Sequence, residues 1–156
     1  MSITGLEKLD VWCKARDFAV RIHKEVLPLL PSDEKYALSQ QLRRSSQSIP
    51  ANIAEGHGRF YFQDTVRFCY IARSSLEETL SHIVYAYKVD YFSEIIYRSF
   101  EADGESLNRL INGYVGFLKK SKKGANEPGA NYAVRDLPIG YIIEDNSSLS
   151  SDANIE

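Results

Sequence analysis

Apolar side chains return at intervals of three and four through most of residues 1–123, the repeat of helices that each bury one face. The first such segment is "LDVWCKARDFAVRIHKEVLPLLP", with Trp12, Ala15, Ala19, Ile22 and Val26 in register and Phe18 beside them. Pro28 and Pro31 end it. Ser32 then stands as an N-cap, with Asp33 and Glu34 placing negative charge on a first helical turn. A second segment runs from about Asp33 to Glu55 on a stripe of Leu38, Leu42, Ser45, Ile49 and Ile53. Its small polar centre, Ser45, Ser46 and Ser48, invites a neighbouring helix to approach closely.

The third segment, "FQDTVRFCYIARSSLEETLSHIVYAYKV", aligns Val66, Cys69, Ala72, Leu76, Leu80, Ile83 and Tyr87. The fourth, from about Ser93 to Lys120, aligns Ile96, Phe100, Leu107, Leu110, Tyr114 and Phe117. Gly104, Gly113 and Gly116 each weaken it by about 1 kcal/mol relative to alanine, so packing must hold it helical. No alternating strand pattern competes within residues 1–123. Four helices of similar length with short connections predict an all-α fold, an antiparallel up-down four-helix bundle over residues 1–123.

Residues 124–156 break the pattern. They carry Gly, Pro, Asn and Ser punctuation, a repeated "GAN" and no helical period. The expectation is a flexible acidic tail whose one apolar piece, "LPIGYII" at 137–143, docks on a surface.

Composition adds a charge split. The net charge of −2 averages over two unlike parts: residues 1–123 hold 18 Lys+Arg against 15 Asp+Glu, and residues 124–156 hold 1 against 6. A mildly basic bundle precedes an acidic tail. No apolar run approaches the ~18 residues of a membrane span, and the start "MSITGLEKLDVW" lacks a signal-peptide layout. The expectation is a cytoplasmic protein with no membrane association, in which Cys13 and Cys69 are reduced thiols.

The stretch "SIPANIAEGHGR" at 48–59 needs explanation, because Pro50 interrupts a helical pattern. Proline supplies no N–H to the Ser46 carbonyl, so a kinked helix is expected there. Asn52 and Glu55 read as capping or bridging residues, and Gly56 as the left-handed residue that closes the helix. "EGHGR" has neither the lysine nor the spacing of a phosphate loop, and no strand precedes it. No partner is spaced to make acid–base chemistry of Glu55 and His57, so no catalytic residue is assigned. His23, His57 and His82 lie on separate elements without metal-ligand spacing. No metal and no cofactor are expected. The aromatics "FYF" at 60–62 cannot all face one core, so at least one is exposed or at an interface.

The run "LSQQLRRSSQSIPANIAEGHGR", followed by "FCYIARSSLEETLSHI", resembles the bacterial four-helix-bundle family of 23S rRNA intervening-sequence proteins. "LDVWCKARDF" and "ARSSLEE" agree with it. The resemblance covers roughly residues 6–120 and not the tail. It implies a non-enzymatic protein that assembles into a homo-oligomeric ring, typically a pentamer. A related branch, the accessory variability determinants of diversity-generating retroelements, binds nucleic acid and a reverse transcriptase.

The residues that would meet nucleic acid, RNA by this resemblance, are Arg43 and Arg44 in the second helix, Arg59, Arg67 and Arg73 around the third, and Lys119, Lys120, Lys122 and Lys123 closing the fourth. Ring assembly would repeat each patch and add the fields. Each also has a plain reading: the lysines complement the helix dipole, and Arg43, Arg44 or Arg73 pairs with an acid of a neighbouring helix or subunit. The competing functions are a protein-interaction subunit for a reverse transcriptase and an enzyme, which no constellation of residues supports.

Overall fold

A computed structural model describes residues 5–122, 124 and 125. Lys123, residues 126–156 and the "LPIGYII" segment lie outside the described residues. Four helices form an all-α bundle: α1 (Asp10–Arg21), α2 (Leu38–His57), α3 (Phe62–Lys88) and α4 (Glu94–Ser121). No strand occurs among the described residues. The tightest pairing is α2 with α3, followed by α3 with α4; α1 closes the bundle against α2 and α4. Phe18, Ile22, Leu42, Ile49, Ile53, Leu76, Ile83, Phe100, Leu107 and Ile111 are among the large side chains almost fully withdrawn from water.

The chain after α1 winds more widely. Ile22–Val26 is a π turn in which the Leu27 N–H reaches the Ile22 carbonyl, and a short 3-10 turn carrying Pro28 follows. The wider turn keeps Ile22 and Val26 both in the core. The second helix does not begin at Asp33. Ser32–Tyr36 forms a separate 3-10 turn, Ala37 breaks the geometry, and α2 starts at Leu38. Its cap comes from Glu34 rather than Ser32: the Leu38 N–H donates to Glu34 Oε2 at 3.1 Å. A carboxylate there meets the positive end of the helix dipole. The other Glu34 oxygen accepts from the Tyr91 hydroxyl at 2.7 Å, tying this turn to the α3–α4 connection. That contact leads the causes that push the Tyr91 hydroxyl up to about 12.

The small polar centre of α2 does admit a neighbour. Thr79 Oγ1 donates to the Ser75 carbonyl (2.8 Å) and shares a hydrogen bond with Ser45 Oγ (2.9 Å). Ser48 and Ser75 pair their hydroxyls at 2.9 Å across the same seam. Pro50 sits inside α2, which continues to His57. Asn52 Nδ2 donates to the Ser48 carbonyl (2.8 Å) and hydroxyl (2.9 Å), so it holds the turn around the proline and the serine that reaches α3.

Gly56 is not a left-handed closing residue. It lies within α2, and the helix ends at Gly58, whose φ of −73° is right-handed. Close approach explains it: a Cβ there would come within 2.8 Å of Phe68 Cβ and 3.1 Å of the Thr65 carbonyl oxygen. Thr65 Oγ1 donates to the Gly56 carbonyl at 2.9 Å, clamping the end of α2 to the start of α3.

Two core assignments shift by one residue. In α1, Val11 is buried while Trp12 packs at the margin, with the Arg16 guanidinium 5.2 Å from its ring. In α4, the core stripe is Phe100, Gly104, Leu107, Ile111, Val115 and Leu118. Leu110 and Phe117 point outward, 38% and 62% exposed. They join Ile95 (82% exposed), Ser99, Ala102, Ser106 and Gly113 in a second uncharged stripe that runs about 33 Å along the helix. A Cβ on Gly113 would meet nothing within 4 Å. Most of this face is exposed among the described residues, and Arg21 of α1 reaches it at Ser99.

Candidate nucleic-acid interface

Charge is sorted lengthwise along α4. Its first half holds Glu94, Glu101, Asp103 and Glu105 against Arg98 alone. From Ser106 to Lys122 there is no acid, only Arg109, Lys119, Lys120 and Lys122. The acids of the first half are engaged. Asp103 binds Arg21 of α1, which also reaches Ser99 at 3.1 Å and lies 4.5 Å from the Phe100 ring. Glu101 accepts from the Tyr97 hydroxyl (2.7 Å) and from Arg98 (2.8 Å), and these two contacts lower its pKa, the tyrosine bond first.

The up-down topology brings the basic half of α4 to the end of the bundle that carries the α2–α3 loop. Three contacts fix the arrangement. Lys119 Nζ lies 5.7 Å from the Tyr70 ring centre, and Arg73 sits 5.0 Å from the same ring. Arg73 also donates to Asn112 Oδ1 at 3.0 Å, joining α3 to α4. Beyond the last turn, Lys122 (φ 46°) and Gly124 (φ 79°) are both left-handed, and the Ala125 N–H donates to the Lys122 carbonyl at 3.0 Å. The chain thereby turns onto the loop: a Cβ at Gly124 would come within 2.9 Å of the Tyr61 ring and 3.2 Å of the Phe60 ring. Phe60 is 53% exposed and meets Tyr61 edge-on, ring centres 5.1 Å apart. Tyr61 is half-buried, and Phe62 packs against the core. The three aromatics are divided among surface, margin and interior.

The candidate residues therefore fall into two groups. Arg59, Arg67, Arg73, Lys119, Lys120 and Lys122 belong to the loop end and the adjoining α3–α4 face. Arg59 pairs with Glu55 one turn back and lies 5.0 Å from the Phe68 ring. Arg67, Lys120 and Lys122 are exposed and make no ion pair among the described residues. Arg43 and Arg44 lie elsewhere, in the first half of α2. Arg44 binds Glu78 of α3 and donates to Gln41 Oε1 at 3.2 Å; Arg43 reaches His23 Nδ1 at 3.3 Å. For Arg44 the ion-pair reading holds. Arg73 also has a structural partner, but the partner is neutral Asn112, so its charge is not cancelled. Asn112 and Arg109 were not singled out in the sequence; the signal for them was the absence of acids after Glu105.

No helix of the described residues is long and apolar enough to cross a membrane, and none of their His, Cys, Asp and Glu side chains gather in groups of three that could hold a metal. Cys69 is buried, which pushes its thiol up to about 11, and Cys13 is half-buried beside the Glu7 carbonyl at 3.4 Å; neither forms a disulfide.

An all-α bundle whose fourth helix ends basic, beside a loop flanked by Glu55 and Asp64, is a class rather than an identity. Comparison with known proteins narrows it. Residues 7–113 match the family of 23S rRNA-intervening sequence proteins, and the chain belongs to that family. A crystal structure of a protein of unknown function from the S23 ribosomal protein family, from Bacteroides thetaiotaomicron, is 28% identical with a TM-score of 0.62. The match covers 67% of this chain and 97% of that one. No curated protein matches the chain.

Proposed function

We propose that this protein is a non-enzymatic, oligomeric RNA-binding bundle that meets the phosphate backbone with its loop end. The observation that carries the reading is the convergence of Arg67, Arg73, Lys119, Lys120 and Lys122 on an end where α4 supplies no acid. Ammonium and guanidinium groups there act on phosphate as a field rather than as readers of base edges. Affinity should follow salt steeply and sequence weakly. Tyr70, already carrying two cations against its ring, positions them rather than stacking on a base.

The uncharged stripe of α4 supports assembly. A 33 Å face with Ile95, Leu110 and Phe117 in water is more apolar than a monomeric helix needs, and a ring of five copies would cover it. Ring closure would also repeat the basic end around one axis and add the fields of the copies.

Labelled RNA titrated with the full-length chain at 50 and 200 mM salt tests the reading. With about three phosphate contacts per chain, the association constant should fall roughly 15- to 20-fold over that range. Light scattering on the same sample should return a multiple of the 17.7 kDa chain, five copies in the ring form. A salt-independent affinity, or binding that requires an added reverse transcriptase, would move the function to a protein-interaction subunit.

A further inference from the structure

The geometry points to the loop end as the docking surface for the chain's own segment Asp136–Asp145, which holds the RNA-binding end in competition with RNA. Gly124 already starts the approach. Its left-handed backbone turns the chain off α4 and lays it against Phe60 and Tyr61, where a side chain would collide with both rings. Only the eleven residues 126–136 separate Ala125 from Leu137. At 3.3–3.6 Å per residue they span at most about 40 Å, so the segment is held within reach of the whole end.

The chemistry of the segment matches that of the surface. Its sequence, "DLPIGYIIED", is an apolar run with Asp136 on one side and Glu144 and Asp145 on the other. The surface offers the converse: exposed Phe60 beside Tyr61, with Arg59, Lys119, Lys120 and Lys122 belonging to the same end. The opposite end of α4 carries Glu94, Glu101, Asp103 and Glu105 and would repel those carboxylates. The cations beside the first half of the uncharged stripe, Arg21 and Arg98, are already paired with Glu25, Asp103, Glu94 and Glu101. Charge therefore selects the loop end, and the tether reaches it. Because the lysines engaged by Glu144 and Asp145 are the ones that would meet phosphate, docking and RNA binding exclude one another. The competition rests on the RNA reading above; the docking itself does not.

The test uses a labelled peptide of residues 134–147 and the full-length chain, with and without Ile139→Ser and Ile142→Ser. These two changes disarm the tethered segment and leave the bundle untouched. A tether supplies an effective concentration in the millimolar range, so the unaltered chain should resist the free peptide. The peptide is expected to bind the disarmed chain at least ~10-fold more tightly than the unaltered chain, and to lose that binding when Lys119, Lys120 and Lys122 are also changed to Gln. RNA should likewise bind the disarmed chain about 10-fold more tightly. Equal peptide affinity for both chains, or none for either, overturns the docking. A disarmed chain that loses subunits instead shows that the segment clasps a second copy, and also overturns it. Peptide docking as expected, with no RNA bound by any variant, upholds the docking and removes the RNA reading alone.

Discussion

Changing Lys119, Lys120 and Lys122 together to glutamine is expected to weaken RNA binding on the order of 100-fold at 50 mM salt. It should also lower the slope of log affinity against log salt by about 2 per chain. These side chains end α4 beyond its last buried residue, Leu118, and Lys120 and Lys122 take part in no ion pair among the described residues. The bundle should keep its melting temperature to within a few degrees, because the loss is limited to helix-dipole terms of a few tenths of a kcal/mol each and the exposed contact of Lys119 with the Tyr70 ring. Arg43→Gln with Arg44→Gln is the matching control. Arg44 already spends its charge on Glu78, so this pair should cost RNA affinity only a few-fold while loosening α2 from α3. If the α2 pair abolished binding and the lysine triple did not, the interface would lie on the other half of the bundle.

The second large effect concerns the fold. Gly56→Val should destabilise the protein by about 3 kcal/mol, seen as a lower urea midpoint at fixed protein concentration. The atoms in the way are Phe68 Cβ and the backbone of Thr65, which cannot swing aside as a side-chain tip would. Gly104→Ala offers the contrast. The nearest atoms are the two methyls and Cγ of the Leu80 side chain, which a rotamer change can move, and alanine gains helix propensity, so its cost should be smaller than that of Gly56→Val. A Gly56→Val chain with an unchanged midpoint would mean that α2 and α3 do not approach as described.

Which of these features the sequence disclosed follows from what periodicity can and cannot carry. Stripes at a spacing of three and four gave the core faces of α2 and α3 almost residue by residue, because each of these helices carries a single apolar stripe, such as Leu38, Leu42, Ile49 and Ile53 in α2. They misled in α4. There two apolar stripes lie side by side, and a single pattern through Leu110, Tyr114 and Phe117 mixed the outward stripe with the core set of Ile111, Val115 and Leu118. A helix with two apolar faces has no unique register until its neighbours are known.

Gly56 was read as a terminator because glycine after a helical run usually is one. Its contact with Phe68 is tertiary and leaves no local trace. The α2 cap moved to Glu34 for a similar reason: its partner Tyr91 is 57 residues away. At the site, charge was legible and grouping was not. Nine of the 19 cations stand out as candidates in the sequence, but only the packing of α3 on α4 separates Arg67, Arg73 and the lysines from Arg44, which Glu78 claims.

Crosslinking tests the central claim most directly. Ultraviolet crosslinking of a uridine-substituted RNA to the full-length chain, followed by mass mapping of the attached peptides, locates the interface without any substitution. The basic loop end predicts crosslinks within residues 57–73 and 109–125, at Phe60 and Tyr61 above all, and their loss as salt is raised. Crosslinks confined to residues 38–48, or an RNA that crosslinks nowhere on the bundle, would contradict it.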